Sequence, residues 1–171
     1  IMQLNNKYYI LRHGEAFSNT RNVISSWPET FDNPLTPRGQ EMIAESAKRL
    51  KDIIKETGRN IDMIFASDVL RAKQTAEIVG EALNVAVRFD KRLREISFGV
   101  MNGGPIIALD ERFKKEGERI HATMPEGETY EQVADRVWDF LTEIDKAYEG
   151  KTILIVSHEC PLWILENRFE G

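Results

Sequence analysis

Short unbroken apolar runs alternate along this chain with longer stretches in which apolar residues recur every three or four positions. Tyr8-Tyr9-Ile10-Leu11 is rich in strand-forming residues and predicts a first strand over residues 2–12. Residues 15–33 hold Ser18, Asn19, Asn22, Ser25, Ser26 and Pro28 without a clean period, which predicts a loop lying over a cleft. Thr36-Pro37 then has the form of a helix start, with threonine at the cap and proline in the first turn. Ile43, Ala47, Leu50 and Ile54 follow at helical spacing, and Gly58 closes the element.

A second strand is predicted over residues 61–66, and Ser67 is placed to cap a helix with the apolar stripe Val69, Ala72, Ala76, Val79 and Leu83. A short alternating strand over residues 85–89 comes next, then a loop over 93–99. The signal over residues 100–124 is mixed, with a short helix expected near 107–115. Thr129 and Gln132 have the spacing of a capping box at the head of a strong helix. Its buried face reads as Tyr130, Val133, Val137, Phe140, Leu141, Ile144 and Tyr148, so Tyr130 and Trp138 are expected in the core and not as a stacking platform. Thr152-Ile153-Leu154-Ile155-Val156 is continuously apolar, the mark of a strand covered on both faces. Pro161 suits the first turn of a final helix. Alternating strands and helices predict an α/β fold, a three-layer α/β/α sandwich around a mostly parallel sheet, and a single domain over residues 1–171.

Composition narrows the function classes. Apolar content of 42% and charged content of 30% are those of a globular protein. A net charge of -5 argues against nucleic acid as a partner, and no apolar run approaches the length needed to cross a membrane. No signal peptide is expected before the first strand, because Gln3 to Lys7 is polar. The single Cys160 forbids an internal disulfide and a cysteine metal cluster, which points to the cytoplasm. At the ends, Ile1 before Met2 reads as a remnant, and the stop at Gly171, soon after a strand-turn-helix unit begins, suggests a missing or shortened C-terminus.

The chemistry gathers where predicted strands end. The first strand runs into Arg12-His13-Gly14-Glu15 and the last into Ser157-His158. Ligands of open α/β sheets bind just outside the carboxyl ends of strands. Either histidine taken alone is equally consistent with a satisfied structural residue. Arg71 lies in the first turn of its helix, an odd place for a cation. It reads as either a solvated surface residue or an arginine aimed at an anion that the helix end also attracts. The topology brings His13, His158, Arg12 and Arg71 to one edge of the sheet, which would make an anion site containing a nucleophile.

In sequence order these residues resemble the histidine phosphatase superfamily, also called the phosphoglycerate mutase-like family. Arg12-His13-Gly14-Glu15 resembles its signature, and Asn19 falls where the family keeps a phosphate-contacting asparagine. Asn33-Pro34-Leu35-Thr36-Pro37-Arg38-Gly39, Ser67-Asp68-Val69-Leu70-Arg71-Ala72-Lys73-Gln74-Thr75-Ala76 and Pro125-Glu126-Gly127-Glu128-Thr129 resemble three further family segments. Leu93, Glu95, Gly99 and Gly103 fit another, and Ser157-His158 matches the second family histidine. The chain departs from the family where glycines often follow that histidine: Glu159 and Cys160 stand there, and Trp163 replaces a residue that is often smaller or basic.

The resemblance implies hydrolysis of small phosphomonoesters through a phosphohistidine on His13, without a cofactor or a metal. Neutral His13 attacks phosphorus, and a carbonyl near Gly14 holds its other ring nitrogen. Arg12 and Arg71 clamp the phosphoryl oxygens, His158 adds a third positive contact if it is protonated, and Glu95 serves as general acid and then base. Asn19 and Glu159 join Arg12, Arg71 and His158 as expected substrate contacts. The partner is then a small phosphorylated molecule, not nucleic acid or a membrane, and a homodimer is left open.

Two alternatives stand beside this reading: a cofactor-dependent phosphoglycerate mutase, and an inactive member that binds phosphorylated ligands. The segment after Glu95 is short, and Lys114, Lys115 and Arg119 form only a thin version of the basic insertion expected of a mutase. Other chemistries are excluded by spacing. Leu162 occupies the place of the second histidine of a His-Glu-x-x-His zinc site. Arg168 lies too far beyond Cys160 for a cysteine phosphatase, so Cys160 reads as a small buried thiol. His121 reads as a surface residue.

Overall fold

The computed structural model of the chain describes residues 3–113 and 124–170. In chain order it contains β1 (Lys7–Arg12), α1 (Phe17–Arg21), α2 (Pro37–Thr57), β2 (Met63–Ala66), α3 (Leu70–Leu83), β3 (Val87–Phe89), α4 (Ile107–Arg112), α5 (Tyr130–Ala147), β4 (Thr152–Ser157) and α6 (Glu159–Glu170). Short 3-10 turns occupy Lys91–Leu93 and Gly99–Met101. His121, Lys114, Lys115 and Arg119 lie outside the described residues.

All strand pairs are parallel, and the order across the sheet is β1-β4-β2-β3. The first two crossovers run one way along the sheet and the third runs back. Right-handed connections therefore put α2 and α3 on one face and α5 on the other. Packing agrees. Ile43 and Ala47 of α2 and Ala76 and Val79 of α3 bury against Ile64, Leu154 and Val156. Val133, Val137, Phe140 and Leu141 of α5 and Leu162 and Leu165 of α6 bury against Phe65, Ile153 and Ile155. Central strand β4 is buried at every position, as its unbroken apolar run requires.

The termini of the elements follow local chemistry. Thr36 accepts a hydrogen bond from the Gly39 amide at 2.9 Å and starts α2. Gly58 ends it with φ 64°. Thr129 and Gln132 form the reciprocal capping box of α5, at 3.2 and 2.8 Å.

The structure corrects several sequence expectations. The expected loop over residues 15–33 contains α1, a five-residue helix whose first turn is set by Asn19 and not by apolar periodicity. β1 begins only at Lys7, because the Asp145 carboxylate accepts the amides of Asn5 and Asn6 at 3.0–3.2 Å and holds them off the ladder. Ser67 is not the N-cap residue of α3: that residue is Val69, whose own side chain makes no capping bond, and the Ser67 hydroxyl oxygen accepts the Val69 amide at 3.3 Å. Tyr130 packs against the core but also lines the cleft, where it meets Trp163 edge-on. Among the described residues, no helix is long and apolar enough to cross a membrane.

Candidate active site

Register builds the site. β1 pairs with β4 so that Arg12 lies beside Ser157, and β2 pairs with β4 so that Ala66 lies beside Val156. The first residues past the strands, His13, His158 and Ser67, therefore emerge side by side at one edge. β1 and β2 lead to helices on one face, and β4 leads to α6 on the other. This divergence opens a crevice at the carboxyl ends of the strands. A cleft of about 530 Å³ lies there, and Arg12, His13, Arg71 and Glu95 are among the residues that line it.

The turn after β1 is held from three sides. Thr75 accepts the Gly14 amide at 3.1 Å, and the Glu15 carboxylate accepts the Thr36 hydroxyl at 2.7 Å. The Glu15 carbonyl oxygen accepts the Thr36 amide. Gly39 is needed at the head of α2 because a Cβ there would fall on the Glu15 carbonyl oxygen.

His13 has both ring nitrogens engaged. Nδ1 donates to the Gly14 carbonyl at 2.7 Å, so Nε2 carries the lone pair, and Arg71 Nε donates to it at 3.1 Å. Burial first, and then the Arg71 charge, lower the His13 pKa to about 3, although the Gly14 bond opposes them. His13 is thus a neutral imidazole of fixed tautomer, as a nucleophile needs. His158 stands 5.1 Å away, ring centre to ring centre, and is fully buried. Its Nε2 bonds with the Ser67 hydroxyl at 2.8 Å, and Nδ1 has no hydrogen-bond partner among the described residues. Burial and Arg71 push its pKa well below the ordinary value. His158 is therefore a neutral group in the free protein, and it lies behind His13 without lining the cleft itself.

Arg71 is only 2% exposed, which settles its two sequence readings in favour of the inward-facing one. Besides His13 it reaches the Ser25 hydroxyl at 3.2 Å, the Ser25 carbonyl at 3.0 Å and Glu29 at 3.4 Å. Glu95 Oε1 accepts the amides of Ile96 at 2.9 Å and Cys160 at 3.3 Å, and burial raises its pKa. Arg12 and Glu159 stand at the rim as an ion pair of 2.9 Å, both largely exposed. Asn19 also lines the cleft, but its Oδ1 accepts the Ala16 amide at 2.8 Å, so its carbonyl oxygen serves α1. Cys160 is buried, and burial raises its thiol pKa.

Sequence reasoning missed the groups that hold these residues. Arg136 of α5 donates to the carbonyls of Arg92, Arg94 and Glu95 at 2.6–3.0 Å and is answered by Glu128. It clamps the loop that carries Glu95. Ser67, Ser25 and Glu29 position His158 and Arg71. For Ser67 a signal existed: it is the first residue past a buried strand, as the two histidines are. Among the described residues, no cluster of three or more histidine, cysteine, aspartate or glutamate side chains could hold a metal ion.

Comparison with known proteins agrees with this arrangement. The model of the histidine phosphatase superfamily (branch 1) matches residues 8–171. A protein of Escherichia coli O1:K1 / APEC named probable phosphoglycerate mutase GpmB is 31% identical over 168 residues, spanning 95% of this chain and 74% of that one. The solved structure of YhfR from Bacillus stearothermophilus superposes with a TM-score of 0.79 at 30% identity, covering 96% of this chain and 80% of that chain. A putative alpha-ribazole-5'-P phosphatase from Escherichia coli superposes with a TM-score of 0.78 at 25% identity, covering 96% and 79%.

Proposed function

The chain belongs to the histidine phosphatase superfamily, and on that premise we propose that it hydrolyses small phosphomonoesters through a phosphohistidine on His13, without a metal. The observation that carries this reading is the state of His13: neutral, with Nδ1–H fixed on Gly14 and Nε2 left as the nucleophilic nitrogen beside a buried arginine.

In the first step Nε2 attacks phosphorus in line, the N–P bond forms and the P–O bond to the alcohol breaks. Arg71 exchanges its contact with Nε2 for phosphoryl oxygens, and Arg12 turns from Glu159 to the same group. His158 contributes a neutral donor from Nδ1, or takes up a proton once the phosphoryl charge offsets that of Arg71. The leaving oxygen takes its proton from Glu95, whose raised pKa favours the protonated form. In the second step the Glu95 carboxylate takes a proton from water, the water oxygen attacks phosphorus and the N–P bond breaks. This frees phosphate and restores His13. Asn19 contributes its amide group at the cleft wall. The same reading places the enzyme in the cytoplasm, on its single buried cysteine.

The name of the GpmB relative favours a second reading, phosphoglycerate mutase. The test is phosphate release from a panel of phosphomonoesters without added metal, with 3-phosphoglycerate followed for isomerisation and a His13→Ala protein alongside. The proposal expects release by the parent and a loss of about a thousandfold or more in the variant. Isomerisation without net release favours the mutase, and neither reaction from folded protein overturns both.

A further inference from the structure

The cleft has a second end, beyond the groups assigned to the phosphoryl moiety. Its wall is apolar: Ile96, Phe98, Ile106, Leu109, Tyr130 and Trp163. Tyr130 and Trp163 meet edge to face with ring centres 6.2 Å apart. Ile106 and Trp163 are 42% and 44% exposed, large apolar groups open at a binding site. The charges are one-sided. The cations among the described lining residues are Arg12 and Arg71, both taken by the phosphoryl group, whereas Glu159 brings a carboxylate to the rim. Glu159 is the first residue of α6 and already answers Arg12.

We propose that Glu159 and the aromatic wall make this enzyme selective for phosphomonoesters whose alcohol portion is apolar and carries no second anionic group. The inference rests on the phosphatase reading above. An ion pair as exposed as Arg12–Glu159 is weak, so a phosphoryl dianion displaces or shares it at small cost. A carboxylate or second phosphate on the alcohol side fares differently. It meets Glu159 across the cleft, and no described lining cation remains to answer it. An aryl group instead buries apolar surface against Trp163 and Tyr130, whose ring face and edge suit it. Glu159 thus sorts substrates by the charge of the part that does not react.

The test is a matched pair of esters that differ in one remote charge, benzyl phosphate and 4-carboxybenzyl phosphate. The values of kcat/KM are measured for the parent, Glu159→Gln and Glu159→Asp. The parent should prefer the uncharged ester by about tenfold or more. Glu159→Gln should narrow that ratio roughly five- to tenfold, the effect of one like charge at a solvated site, and Glu159→Asp should retain most of it. Equal turnover of the two esters by the parent, or an unchanged ratio in Glu159→Gln, overturns the inference and leaves the phosphatase reading standing. Release from neither ester overturns both.

Discussion

The base and the rim of the cleft carry similar charges in opposite ways. At the base, Arg71 is 2% exposed and bonded to His13, Ser25 and Glu29, and fully buried His158 is held by Ser67. At the rim, Arg12 and Glu159 pair with each other, with side chains 51% and 68% exposed. Buried charges act in a low dielectric and need no reorganisation when charge moves in a reaction, whereas exposed ones are screened and mobile. The base is therefore built for chemistry and the rim for choosing among substrates.

The sharpest way to break this comparison is to remove the buried cation. Arg71→Met should lower kcat/KM about a hundred- to a thousandfold with little change in substrate ranking, measured on the ester panel. A loss of under tenfold would put Arg71 in the same class as the rim.

The next test concerns the support beneath Glu95. Arg136→Met leaves Glu128 without its ion-pair partner and three carbonyls without the guanidinium donor. It should cost about 3 kcal/mol, a fall in Tm of roughly 6–12 °C by calorimetry, and reduce turnover through the displaced loop.

Acid should act through the two histidines. Both are depressed below the ordinary value of 6.5, His13 to about 3. Above 6.5 neither the folded nor the unfolded chain binds a proton there. Below it only the unfolded chain does, so stability falls as pH drops from about 6.5 toward 3. The slope is up to about 1.4 kcal/mol per pH unit for each histidine. Urea unfolding between pH 7 and 5 should show this slope, and His158→Gln should flatten it.

The smallest effect belongs to the rim. Arg12→Lys should change Tm by less than about 2 °C and raise KM only several-fold, since the exposed pair is weak and lysine keeps the charge.

The same division governs what the sequence disclosed. Residues at strand ends were legible because an apolar run fixes where a strand stops, and parallel order fixes which edge its next residue occupies. His13, His158 and the depth of β4 all follow from this. Arg71 was ambiguous because its side of α3 is covered by the segment around Ser25 and Glu29, a long-range contact that no helical period reports. α1 was missed because a five-residue helix set by an asparagine back-bond has no apolar period. Arg136 was missed because a charged residue at the border of the apolar stripe of α5 reads as solvated, and only the folded loop shows that it meets three carbonyls. The charge of His158 was left open by the sequence, since a resemblance conveys the residue but not its desolvation.

The most direct test of the account is to find where the phosphoryl group goes. Rapid quenching in base during turnover of benzyl phosphate, followed by peptide mass spectrometry at neutral to alkaline pH, should find a phosphoryl adduct on the peptide carrying His13. The adduct should be labile to acid and stable to base, and absent from His13→Ala. Full-rate phosphate release with no adduct, or with the adduct on another residue, would contradict it.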